Sequence, residues 1–193
     1  IGPGVAERAK SADLVLVARP LKVEAVRVSR DLVYELGTFE LLKFESDGAA
    51  YEVVLRATDK VDGPAIVETC RKFVAEHNRM FGGPPFDRYV FIFQFTDVRG
   101  GRGLEHLNST DILFSHAAVR REAAVIASIA SHEYFHVWNV KRIRPAELGP
   151  FDYTRAVPSK ALWLSEGVTS YFGDRALVRC GVCRASMIPH YSS

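Results

Sequence analysis

The sequence predicts an α/β (α+β) fold, a small mixed sheet packed with helices, and three observations carry that expectation. Residues 14 to 57 are rich in Val, Leu, Phe and Tyr with local alternation, the period of a half-buried strand. Tyr89 to Thr96, YVFIFQFT, is an aromatic and β-branched run of strand length. Residues 117 to 139 contain neither Gly nor Pro and repeat apolar side chains at helical spacing.

Taken in order, Val23 to Val28 and Tyr51 to Leu55 alternate, and Asp47-Gly48 supplies a turn before the second run. From Pro64 to Met80 the period changes. Ile66, Val67, Cys70, Phe73, Val74 and His77 recur at helical spacing, with Pro64 near the start and Gly82-Gly83 past the end. The aromatic strand follows, bounded by Pro84-Pro85 and Gly100-Gly101, and then a Gly-rich loop. The helix over 117–139 ends before Pro145. A loop with Gly149, Pro150 and Pro158 leads to another helix over 159–178, with Leu162, Trp163, Val168, Tyr171 and Phe172 as its apolar contacts. Residues 186 to 193 read as coil.

The chain has 193 residues, enough for one ordinary domain, and its 48% hydrophobic and 25% charged composition suits a soluble globular body. A net charge of +2 gives no electrostatic footprint for nucleic acid. No apolar run reaches the roughly 18 residues of a membrane span. Neither nucleic acid nor membrane is expected as a partner. The chain starts at Ile1 with no secretion signal and reads as a fragment. Three cysteines are an odd count at low density, so no disulfide framework is expected and a reducing, cytoplasmic compartment is favoured.

His132-Glu133-Tyr134-Phe135-His136 lies inside the helix expected over 117–139. Residues four apart share a helix face, so two imidazoles can meet one ion, with Glu133 beside it as general base. The bland alternative is a pair of core histidines flanking a glutamate. Val125 and Ile129 begin the same stripe, and burying two imidazoles and a carboxylate there without a partner would cost several kcal/mol. One zinc ion resolves that conflict. A catalytic zinc takes three protein ligands. A metzincin would have Gly and His three and six residues beyond the second His, where this chain has Asn139 and Arg142. Glu166, in Trp163-Leu164-Ser165-Glu166-Gly167, is the favoured third ligand because it lies on the following helix amid apolar neighbours. Its alternative is a plain helix-surface acid. Glu122, Glu147, Asp152 and Asp174 fit less well, and Asp174 could instead orient an imidazole.

At these residues the sequence resembles the glycyl aminopeptidase family, PDZ-carrying zinc peptidases of the gluzincin group. The matching blocks are FGGPPFDRYVFIF (Phe81 to Phe93), GLEHLNST (Gly103 to Thr110), SHEYFHVWNVKRIRPAELGPFDY (Ser131 to Tyr153) and LWLSEGVTSYF (Leu162 to Phe172). The resemblance implies a thermolysin-like catalytic subdomain, with zinc on His132, His136 and Glu166 and with Glu133 as the base. It also gives meaning to Gly103-Leu104-Glu105-His106, which from composition is only a loop. In related aminopeptidases the comparable segment is an edge strand that pairs with the peptide substrate, and its glutamate holds the free α-amine. Glu105 would take that role here, making the enzyme an exopeptidase with a preference for small N-terminal residues, Gly or Ala.

The resemblance implies two segments: 1–60, the strand-rich end of an N-terminal β region and start of the catalytic sheet, and 61–193, a C-terminally truncated catalytic subdomain. A full-length relative would add a PDZ module and a helical region carrying a Tyr or His donor to the oxyanion. His190 and Tyr191 are capable donors outside the matching blocks, so the role is not carried to them. Two rival functions follow: an endopeptidase of the same group, and a zinc-bound inactive interaction module. Cys180 and Cys183 have no second cysteine pair to complete a metal ribbon. Lys141, Arg142 and Arg144 read as a solvated basic run after the helix.

Overall fold

The structure, a computed structural model, describes residues 14–19, 22–27, 35–36, 38–57, 60–97, 101–115, 123–149 and 157–187. The expected helix start over 117–122, Gly100, Glu122, Asp152, His190, Tyr191 and most of the C-terminal coil lie outside them.

Two sheets are present among these residues. The first joins β1 (Leu14–Arg19) to β2 (Lys22–Arg27) antiparallel and to β3 (Glu35–Leu36) parallel. The second has five strands: β4 (Glu40–Ser46), β5 (Ala49–Arg56), β6 (Arg88–Thr96), β7 (Gly101–Glu105) and β8 (Ser109–Ser115). Their spatial order is β4-β5-β6-β8-β7. β5, β6 and β8 are parallel, while β4 and β7 close the two edges antiparallel.

Local chemistry explains the joints. Asp47 and Gly48 take φ of 51° and 81°, the left-handed pair that a two-residue hairpin with right-twisted strands needs. The connection from β5 to parallel β6 requires a crossover, which α1 (Gly63–Phe81) provides. Asp62 caps α1 by accepting from the Ala65 amide at 3.0 Å, and Gly82 ends it at φ 79°.

The strand period of two divides the aromatic runs between two faces. Tyr51, Val53, Leu55, Tyr89, Phe91, Phe93 and Phe95 join Ile112 and Phe114 in the main core, beneath Phe73 and Val74 of α1 and Ala130 and Tyr134 of α2 (Ala123–Phe135). Val54, Val90 and Ile92 form a smaller cluster with Phe39. Central parallel strands buried on both faces lose the polar alternation of an exposed sheet, which is why YVFIFQFT is nearly continuous in apolar residues.

α2 stops at Phe135, four residues before the sequence pattern does. Residues 136–142 form turns instead, with Lys141 N donating to His136 O and Val140 at φ 149°. A β-branched residue at that φ breaks the helical path. α3 runs over Leu162–Arg179. Its packing corrects the expectation for its apolar residues: Leu162, Trp163 and Tyr171 are exposed, and Trp163 retains 73% of its surface. The buried residues are instead Ser165, Thr169, Gly173 and Ala176, small side chains that let α3 approach α2 closely, with Leu177 in the main core. Phe172 does make its expected contact, stacking on Phe135 with centroids 5.5 Å apart.

Among the described residues no helix is long and apolar enough to cross a membrane.

Candidate metal centre

The site forms where the end of α2, the middle of α3 and the edge strand β7 meet. His132 lies in the last turn of α2, and His136 follows one turn later with only 2% of its side chain exposed. Their Nε2 atoms are 3.1 Å apart. Glu166 of α3 brings Oε2 to 3.2 Å from His132 Nε2 and 3.6 Å from His136 Nε2. A tetrahedral ion with bonds of about 2.0–2.1 Å holds its ligand atoms about 3.3 Å apart. The three donors therefore already span one face of such a tetrahedron.

The second nitrogens of the imidazoles fix their direction. His136 Nδ1 donates to the Asn139 carbonyl at 2.7 Å, which leaves its Nε2 lone pair aimed at the centre. His132 Nδ1 lies 3.3 Å from Ser170 Oγ. Asn139 acts twice, since its side-chain amide also donates to Ser165 O and Thr169 Oγ1, both at 3.0 Å, on either side of Glu166. Sequence reasoning used Asn139 only to exclude a subclass and missed Ser170. The available signals were Asn139 three residues beyond the second His and Ser170 one helical turn beyond Glu166.

Glu166 is half exposed, which corrects the apolar setting expected for it, and its carboxyl is held below the usual range by the hydrogen bonds with His132 and His136. Glu133 is the opposite case. It is 6% exposed, and burial pushes its pKa up to about 7, partly offset by the two imidazoles. Its Oε2 is buried and without a hydrogen-bond partner among the described residues. A carboxylate so placed fits a role in which it receives a proton.

β7 is a strand where composition suggested a loop, as the resemblance implied. Gly101 and Gly103 face α2: a Cβ on Gly101 would press on Ile129, and one on Gly103 would fall inside the Glu133 carboxylate. Glycine at these two positions lets the helix lie directly against the strand. Arg102 and Leu104 point to the other side and are exposed. Glu105 continues the helix-facing row, with a carboxylate oxygen within 4.8 Å of donors on both Glu133 and His136. The His106 amide donates to Ser109 O at 2.9 Å, closing the β7–β8 hairpin.

Two further readings are corrected. Asp174 does not reach an imidazole; it accepts from Ser128 Oγ at 3.1 Å. Two of the three residues of the basic run are drawn into the fold, while Arg144 is exposed as expected. Arg142 is half buried and donates to Val137 O at 2.7 Å and Asn108 Oδ1 at 3.1 Å, while Lys141 is 4% exposed.

Residues 125–191 match the family described as M61 glycyl aminopeptidase. An aminopeptidase N family protein from Idiomarina loihiensis, known from its crystal structure, is similar at 29% identity with a TM-score of 0.70. That likeness covers 76% of this chain and 26% of the other, so this chain spans about a quarter of that relative's length. No curated protein matches the chain.

Proposed function

We propose, from the premise of its likeness to glycyl aminopeptidases and to an aminopeptidase N family protein, that this chain carries the catalytic centre of a zinc-dependent aminopeptidase. Residues 61–193 are the catalytic subdomain in this reading, and residues 1–60 lead into its sheet. The observation that carries it is the trio of donor atoms at 3.1, 3.2 and 3.6 Å, joined by a buried carboxylate whose pKa is pushed to about 7.

His132, His136 and Glu166 would hold the ion, and zinc supplies Lewis acidity toward a scissile carbonyl and toward water. Glu133 takes a proton from the attacking water at its unpartnered Oε2 and delivers it to the leaving amine. The exposed edge of β7 offers main-chain groups to an extended peptide, and Gly103 brings that edge against Glu133. Glu105, at the end of the strand, receives the substrate's α-ammonium through a charge-assisted hydrogen bond. Small N-terminal residues, Gly or Ala, are the expected substrates on the family likeness.

Metal content after dialysis tests the centre. The unaltered chain should retain about one zinc, and Glu166→Ala should lose it, as expected for a three-ligand site. Glu133→Gln should keep the metal and lose about 100-fold or more in turnover. A folded, zinc-free unaltered chain would overturn the proposal. Equal cleavage of N-acetylated and free peptides would remove Glu105 from its role and make the enzyme an endopeptidase.

A further inference from the structure

The centre contains a second constellation that the reading above leaves unused. Glu105, Glu133 and His136 also bring one donor atom each within 4.8 Å of one another, as His132, His136 and Glu166 do at 3.1–3.6 Å. Both sets include His136, so one ion can occupy either set but not both. An ion in the second set would engage the carboxylate of Glu133 and the carboxylate meant for the substrate amine together. It would leave neither free for chemistry. The fold therefore needs something that disfavours Glu105 as a ligand.

Lys141 is placed to do this. The turn after α2 returns the chain so that Lys141 N donates to His136 O at 3.1 Å, and its side chain runs inward with 3% exposure. Its Nζ lies 3.8 Å from Glu105 Oε1. A lysine is rarely buried to this degree unless its ammonium is compensated, and Glu105 supplies the opposite charge. We propose, resting on the metal reading above, that Lys141 is a positioning residue whose ammonium holds Glu105 out of the competing donor set. Glu105 is thereby kept for a substrate ammonium, and the ion is confined to His132, His136 and Glu166. Lys141 touches neither substrate nor metal in this account.

The test removes the preferred ligand and asks whether the competing set takes over. Zinc affinity is measured by competition with a chromogenic chelator for the unaltered chain, Glu166→Ala, Glu166→Ala/Lys141→Met and Glu166→Ala/Lys141→Arg. Glu166→Ala should weaken binding. Adding Lys141→Met, which keeps the stem and removes the charge, should restore affinity at least about tenfold over Glu166→Ala, within the range that neighbouring groups exert on metal sites. Lys141→Arg should restore nothing, and Glu105→Gln added to the Lys141→Met variant should cancel the gain. If Lys141→Met abolishes the thermal unfolding transition, Lys141→Gln asks the same question with a polar neutral side chain. An Lys141→Met or Lys141→Gln variant that folds and binds no more tightly than Glu166→Ala overturns the inference while leaving the metal reading intact. Failure of the unaltered chain to bind zinc overturns both.

Discussion

Gly103 shows how much of this site depends on the absence of an atom. Its α-carbon faces Glu133 so closely that a methyl group would occupy the carboxylate's position. Glu133 Cγ is as close as the carboxylate, so the whole flexible side chain must swing away, and with no backbone in the clash the fold should survive. Gly103→Ala is therefore expected to retain zinc content and thermal stability near those of the unaltered chain while losing about 100-fold in turnover, the scale of a misplaced general base. Kinetics and metal analysis on one preparation decide it; an unimpaired rate would mean that Glu133 has no need of its present orientation. Asn139 is the converse, a residue important for what it adds. Its carbonyl directs one imidazole and its amide ties that turn to the helix bearing Glu166.

The contact between α2 and α3 sets the distance between the paired histidines and the carboxylate. Beside the Phe135–Phe172 stack, small side chains bring the two backbones together. Gly173 lies against the backbone of His132, where a Cβ would come within 3.1 Å of its Cα, and Ser131 Oγ donates to Gly173 O at 2.8 Å. Because backbone meets backbone here, neither element can yield without moving His132 relative to Glu166. Gly173→Val should cost about 1–3 kcal/mol of stability, the usual penalty of overpacking, and weaken zinc binding in parallel. Urea unfolding with and without zinc separates the two effects. A stable variant with unchanged metal affinity would show that the helices are not set by this contact.

Helices α1, α2 and α3 are joined by one buried hydrogen-bonded chain, which links their stability to pH. His77 of α1 is 0% exposed, and its Nε2 lies 2.9 Å from Ser131 Oγ of α2, which in turn donates to Gly173 O of α3. Since the Ser131 proton is committed to Gly173, His77 Nε2 carries the hydrogen. Burial lowers the His77 pKa to about 3 from an ordinary 6.5, and its Nδ1 has no hydrogen-bond partner among the described residues. The unfolded chain therefore binds this proton more readily than the folded one. The stability contributed by neutral His77 is complete above about pH 6.5 and falls by about 1.4 kcal/mol per unit as the pH drops toward 3. Denaturant midpoints from pH 7 to pH 4 should trace that slope, and His77→Phe should flatten it. An equally steep profile in the variant would assign the acid sensitivity to other groups.

The sequence by itself determined the elements whose signals are local. The four-residue spacing of His132 and His136 follows from helical geometry, Asp47-Gly48 fixes its own turn, and the aromatic run Tyr89 to Thr96 has the composition of a strand buried on both faces. It also brought forward Glu166, on the following helix amid apolar residues, and its Oε2 does lie 3.2 Å from His132 Nε2. Only the tertiary structure decided the rest. Helical periodicity reveals that α3 has an apolar face but not that its small-residue face is the one that packs, since close approach rewards the absence of bulk rather than hydrophobicity. Glycine-rich β7 has weak strand propensity of its own and becomes a strand through pairing with β8 and support from α2. Lys141 reads as a surface cation in sequence because burial of a charge depends on the opposite charge beside it, and Glu105 is 36 residues away. Long-range charge compensation and close backbone approach are properties of pairs, and no single segment contains both partners.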